Sequence, residues 1–172
     1  MTRQSLEERL RGTHPDLIVH RRGARLKDGD RILELGCGWG SLLIHAAKNY
    51  GVQAVGVTLS PPQAEFARAR VREAGLSDQI EVRVSDYRDV ADGPYDKIAS
   101  VGMYEHVGAN KLDTYMGQLK GLVRPGGLVL NHGITSTDAD SRESPYDAGE
   151  FIDEFVFPQG ELPHVSLVLR HM

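Results

Sequence analysis

Between residues 31 and 135 the chain carries five short apolar runs, and three of them are followed by a longer stretch whose apolar residues return every three or four positions. The first run, RILELG at 31–36, follows the turn signal KDGD at 27–30 and is apolar enough for a strand covered on both faces. Behind it, positions 39, 43, 46, 47 and 50 keep helical spacing, which predicts a helix from Trp39 to Tyr50 stopped by Gly51. QAVGVTLS at 53–60 predicts a second strand. Ser60-Pro61-Pro62-Gln63 then predicts a helix to about Ala74, with a hydroxyl cap, proline in the first turn and the glutamine of a capping box. IEVRVSD at 80–86 and YDKIASVG at 95–102 predict strands three and four. Apolar positions 112, 115, 116, 119, 122 and 123 predict a further helix, RPGG at 124–127 a turn, and GLVLNHGIT at 127–135 a fifth strand. Upstream, Ser5 and Glu8 have capping-box spacing, and a second amphipathic stretch runs from about Pro15 to Leu26.

Strands alternating with helices of this length require parallel crossovers, so the expected fold is an open, mainly parallel α/β sheet with helices on both faces. One domain over residues 1–172 is expected, with 1–28 as an N-terminal helical segment and 136–172 as an acidic, turn-rich segment on the substrate side. The 40% hydrophobic and 26% charged fractions suit a soluble globular chain, and no apolar run approaches the ~20 residues of a membrane span. The N-terminus has no continuous apolar core of a secretory signal, and one cysteine, Cys37, leaves no internal disulfide and no cysteine-built metal site. A cytoplasmic protein without a metal is expected. The formal net charge of -4 gives no case for nucleic-acid binding. Its distribution is uneven: residues 1–27 hold seven Arg/Lys against three acids, and residues 136–172 eight acids against two bases. A basic N-terminal face would suit peripheral contact with anionic headgroups at the inner membrane surface; a solvated helix face is the plainer reading.

ELGCGWG at 34–40 puts Gly36, Gly38 and Gly40 between the first strand and first helix. Ligands of open parallel sheets bind at the carboxyl ends of strands, and glycine lets them lie against the backbone, so a nucleotide-like cofactor is expected. A dinucleotide fingerprint would need glycine at position 41, where Ser41 stands, and an acid near Thr58-Leu59-Ser60; a phosphate-cradling G-K-[ST] is absent too. G-x-G-x-G preceded by an acid, here Glu34, is similar to S-adenosylmethionine (SAM) methyltransferases.

Six motifs make a resemblance specific: GCGWGSL, AVGVTLS, SDYRDV, SVGMYEHVG, LNHGIT and FVFPQGELP, in the order and near the spacing of the cyclopropane-fatty-acyl-phospholipid synthases and mycolic acid cyclopropane synthases. The resemblance covers about residues 26–170. It implies a Rossmann-like class I SAM methyltransferase fold and an enzyme that adds a methylene carbon across the cis double bond of an unsaturated phospholipid or fatty acyl chain. In that family the sulfonium methyl goes to an alkene carbon, and bound bicarbonate takes a proton from the new methyl as the ring closes. By the same resemblance Glu105 accepts a hydrogen bond from bicarbonate, and His132 and the main chain at Ile134 help to hold the ion. Gly36, Gly38 and Gly40 would approach the methionine part of SAM, Thr58 and Leu59 the ribose, and Asp86 and Tyr87 the adenine. Gln63 is open between the ribose and its capping box, Tyr87 between the adenine and core packing, and Trp39 reads as a packing anchor.

Two family features have no counterpart: an upstream segment with a cysteine whose main chain helps bind bicarbonate, and two later strands with a tyrosine. The chain is therefore expected to be shortened at both ends, and its fifth strand to offer an unpaired edge suited to a homodimer. Alternatives to the lipid reading are a methyltransferase of the same family acting on a small amine or alkene, and a noncatalytic SAM-binding remnant.

Overall fold

The computed structural model describes residues 25–136 and 162–172. The Ser5–Glu8 capping box, the stretch from Pro15 up to its last residues, and most of the FVFPQGELP motif lie outside the described residues. The strands are β1 (Arg31–Leu35), β2 (Gln53–Thr58), β3 (Ile80–Val84), β4 (Tyr95–Val101) and β5 (Val123–His132). The helices are α1 (Ser41–Tyr50), α2 (Pro61–Glu73), α3 (Leu112–Leu122) and α4 (Val165–His171). All four strand pairings are parallel and the order is β3-β2-β1-β4-β5. This is the expected open sheet. The order reverses direction between β1 and β4, and the carboxyl ends of those two strands are where such sheets take ligands.

Strand alternation divides the core. Ile32 and Ala54 pack toward Leu43, Ala46 and Ala47 of α1 and Ala64, Ala67 and Val71 of α2. Leu33, Leu35, Val55 and Val57 face the other way, toward Leu112, Tyr115, Leu119 and Leu122 of α3 and Val168 of α4. Both faces are therefore covered, which is why β1 and β2 read as nearly continuous apolar runs. Each fully buried aliphatic side chain in these layers contributes roughly 1.5–3 kcal/mol of transfer free energy.

The helix starts follow local chemistry. Ser60 caps α2, its hydroxyl accepting from the Gln63 N–H at 3.4 Å, as the sequence predicts. The reciprocal half of the capping box is not made: Gln63 Oε1 accepts instead from the Thr58 hydroxyl at 2.8 Å, and Thr58 Oγ1 accepts from the Ser60 N–H at 3.2 Å. Helix α1 begins at Ser41 rather than Trp39, because Gly40 sits at φ +75° and turns the chain before the helix can propagate. The expected RPGG turn also differs. Residues 124–127 lie within β5, whose register against β4 shifts between the Tyr95–Val123 and Lys97–Leu128 pairs. Gly126 at φ +74° lets the extra residues bulge out while pairing resumes beyond them. Among the described residues β5 is an edge strand, and no helix is long and apolar enough to cross a membrane.

Candidate functional site

At the carboxyl end of β1 the chain turns through three left-handed glycines, Gly36 at φ +73°, Gly38 at +50° and Gly40 at +75°. The N–H groups of Gly36 and Cys37 both donate to the Val57 carbonyl, at 3.0 and 2.9 Å, which ties the turn to β2. A Cβ on Gly40 would lie 2.9 Å from that of Ala67, so glycine here sets the approach of α2. Among the described residues, a Cβ on Gly38 would meet nothing within 4 Å. Open space beside a backbone held left-handed is what a ligand's close approach requires, and the glycine bend offers it at the carboxyl end of β1.

Glu34 lies beneath this turn, 5% exposed, on the face toward α1. Burial pushes its carboxyl up to about 8, and a backbone hydrogen bond at Leu43 pulls it back only partly. Its Oε2 has no hydrogen-bond partner among the described residues. Beside it Cys37 is pushed up to about 12, by its own burial first and by the nearby Glu34 charge second. Glu34 is thus buried between the sheet and α1, directly before the bend.

Along the rim, Thr58 is buried with its hydroxyl committed to Gln63, while Leu59 is 71% exposed. Trp39 and Phe66 are half exposed and meet edge to face, ring centroids 5.3 Å apart; Arg70 donates to the Trp39 carbonyl at 2.9 Å and to the Ser41 hydroxyl at 2.8 Å. Arg70 therefore holds the bend from outside, a role no local pattern in α2 announces. Asp86 is engaged within the chain: Oδ1 accepts from the Arg88 N–H and Nε at 2.9 Å each, and Oδ2 from its other nitrogen at 2.6 Å. The Arg88 guanidinium holds the Asp86 carboxyl below its ordinary range. Tyr87 packs edge to face on buried Tyr115, centroids 5.6 Å apart. It belongs to the core on one side, whatever its other edge meets.

The carboxyl end of β4 leads into a three-residue 3-10 turn, Tyr104–His106, preceded by Met103. Met103 crosses to the glycine bend, its Cβ and Cγ each 3.4 Å from where a Gly36 Cβ would stand. Ser100 donates to its sulfur at 3.6 Å. The two halves of the site touch there, at the reversal of strand order. Glu105 is fully buried; its Oε1 accepts from the Ile134 N–H at 2.7 Å, and its Oε2 has no partner among the described residues. The structure thus brings Glu105 and Ile134 together. His132 pairs with Val101 at the end of β5, its side chain exposed, one strand from the Glu105 turn. Met103 and Tyr104 lie within SVGMYEHVG but carry no assignment from sequence, and nothing in the spacing says that Met103 reaches the bend.

Comparisons with known proteins give the family and the fold. Residues 14–172 match the family described as mycolic acid cyclopropane synthetase. The chain belongs to that family. A "Probable fatty acid methyltransferase" of Pseudomonas putida is 50% identical over 148 residues, covering 86% of this chain and 38% of that protein. The cyclopropane-fatty-acyl-phospholipid synthase of Escherichia coli K12 is 41% identical over 146 residues, 85% of this chain and 36% of that one. Among solved structures, the cyclopropane synthase MmaA2 of Mycobacterium tuberculosis superposes with a TM-score of 0.83 at 26% identity, over 95% of this chain and 59% of that one. The mycolic acid cyclopropane synthase CmaA1, complexed with S-adenosylhomocysteine (SAH) and CTAB, gives 0.76 at 27% identity, over 99% and 60%. The chain spans well under half the length of these two curated family relatives.

Proposed function

We propose that this chain carries the cofactor site and the base-holding carboxylate of a SAM-dependent enzyme that adds a one-carbon unit to the cis double bond of a lipid acyl chain. The observation that carries the reading is Glu105: a fully buried carboxylate with one oxygen fixed by the Ile134 N–H and the other unpartnered among the described residues. A buried carboxylate oxygen without a partner is a place for a hydrogen-bond donor, and a small oxyacid such as bicarbonate would suit it. When bound, SAM supplies an electrophilic methyl group on a sulfonium. The open flank of Gly38 would take its methionine part, with Gly36 and Gly40 shaping the turn. Thr58, Leu59 and Gln63 would border the ribose, and Asp86 and Tyr87 the adenine. Glu105 would hold a proton acceptor at Oε2, and His132 would reach the same anion from the end of β5. A preorganised negative charge there lowers the barrier where positive charge develops on an alkene in an apolar setting. Exposed Trp39, Leu59 and Phe66 give the rim an apolar character compatible with an acyl chain and with peripheral contact at a membrane surface.

The test is label transfer from SAM to vesicles of cis-unsaturated phospholipid, with and without bicarbonate, the product read by mass spectrometry. Bicarbonate-dependent gain of a methylene carbon is expected; absence of SAM binding by calorimetry defeats the reading. A second reading is amine methylation, because coclaurine N-methyltransferase bound to N-methylheliamine and SAH has a TM-score of 0.74 at 29% identity over 92% of this chain. A methylated amine in place of a modified lipid would select it.

A further inference from the structure

Tyr104 and Glu105 are consecutive, and together they grip the two sides of one residue. Glu105 Oε1 accepts from the Ile134 N–H at 2.7 Å, and the Tyr104 hydroxyl donates to the Ile134 carbonyl at 3.0 Å. Gly133, just before, admits no side chain: a Cβ there would run into the Tyr104 ring and lie 2.8 Å from Glu105 Oε1. The exit of β5 is thus pressed directly onto the turn that bears the carboxylate. Tyr104 is 3% exposed and Glu105 0%, whereas Ile134 is 51% exposed.

We propose that Tyr104 is a positioning residue for Glu105: its hydroxyl, bonded to the Ile134 carbonyl, fixes the backbone whose N–H aims the carboxylate. The inference rests on the reading of Glu105 given above and gives a role to a residue inside SVGMYEHVG that the sequence reading left without one. The chemistry favours a positioning role over a purely stabilising one. A single hydrogen bond contributes little net stability to the fold, so removing the hydroxyl leaves the packing of the Tyr104 ring in place. The Glu105–Ile134 bond has no substitute for its direction, because one free rotation at Ile134 swings the N–H away from Oε1. Burial first, and the Glu105 charge second, push the Tyr104 phenol up to about 12, so it remains a donor throughout neutral pH.

The test is Tyr104→Phe in the full-length protein, which keeps the ring against Gly133 and removes one oxygen. Amide hydrogen exchange at Ile134 is expected to speed up about tenfold or more. Steady-state kinetics are expected to show kcat lowered by about tenfold with KM for SAM and the melting temperature unchanged, the pattern of misaimed rather than missing binding groups. Unchanged exchange at Ile134 overturns the proposal. So does a variant in which kcat, KM and melting temperature all worsen together, since that marks a structural role. If the unsubstituted protein transfers nothing to lipid, the functional reading fails by itself, and exchange at Ile134 still decides whether Tyr104 sets the backbone that holds Glu105.

Discussion

The glycine side and the carboxylate side of this site are held by different forces. From β1 through α2, position is set by close packing: β2 is buried from its second residue to its last, Gly40 abuts Ala67, and Gly56 abuts Leu43 and Cys37. On the β4–β5 side, β5 has no fully buried residue, and Glu105 is aimed by one N–H from a half-exposed neighbour. Packing tolerates loss of a hydrogen bond but not an added methyl; a hydrogen-bonded clamp behaves the other way. Substitutions on the first side should therefore cost stability, and on the second side chemistry.

The sharpest separation comes from Glu105→Gln, which keeps shape and the Ile134 contact but removes the charge. Methylene transfer should fall by about 10²-fold or more while SAM affinity, measured by calorimetry, stays within about twofold. A variant with undiminished turnover would erase the distinction. Next is pH. Glu34 keeps its proton in the folded chain up to about 8 against an ordinary 4.5, so the stability this contributes is complete below 4.5 and is lost as pH rises through about 8. Urea midpoints taken across that window should decline with pH, and Glu34→Gln should flatten the decline. A slope that survives the substitution assigns it elsewhere.

Gly56→Ala should destabilise by about 1–3 kcal/mol, because the new methyl would enter the Leu43 side chain and stand 2.9 Å from the Cys37 Cβ. Denaturant titration reads this, and an unperturbed midpoint would show that the first side yields more than its packing indicates. The smallest effect is Ser60→Ala, which removes the hydroxyl capping α2 and should cost about 1 kcal/mol with no change in turnover per folded molecule.

Much of this could be read from local pattern. The apolar runs located all five strands because a sheet covered on both faces leaves few polar positions in its strands, and Ser60 announced α2 because a hydroxyl cap is a local event. The start of α1 and the extent of β5 were displaced for reasons that local pattern carries weakly. Gly40 is left-handed and leaves no room for a Cβ beside Ala67 of α2, and RPGG is bulged into a strand because β4 continues to pair beyond it. Gln63 shows the same limit: its spacing from Ser60 suits a capping box, yet its oxygen goes to Thr58, which the fold brings within 2.8 Å.

Residue order alone was enough for the sheet, its parallel sense and the glycine bend, since each depends on neighbours within a few positions or on a motif intact in the chain. Tertiary packing decided that Glu34 is buried against α1, that Met103 joins the bend to the carboxylate turn, and that Tyr104 and Glu105 share Ile134. Those contacts span about thirty positions or more in three of these four residues' partnerships, and a contact of that length exists only once the strands between have been laid side by side.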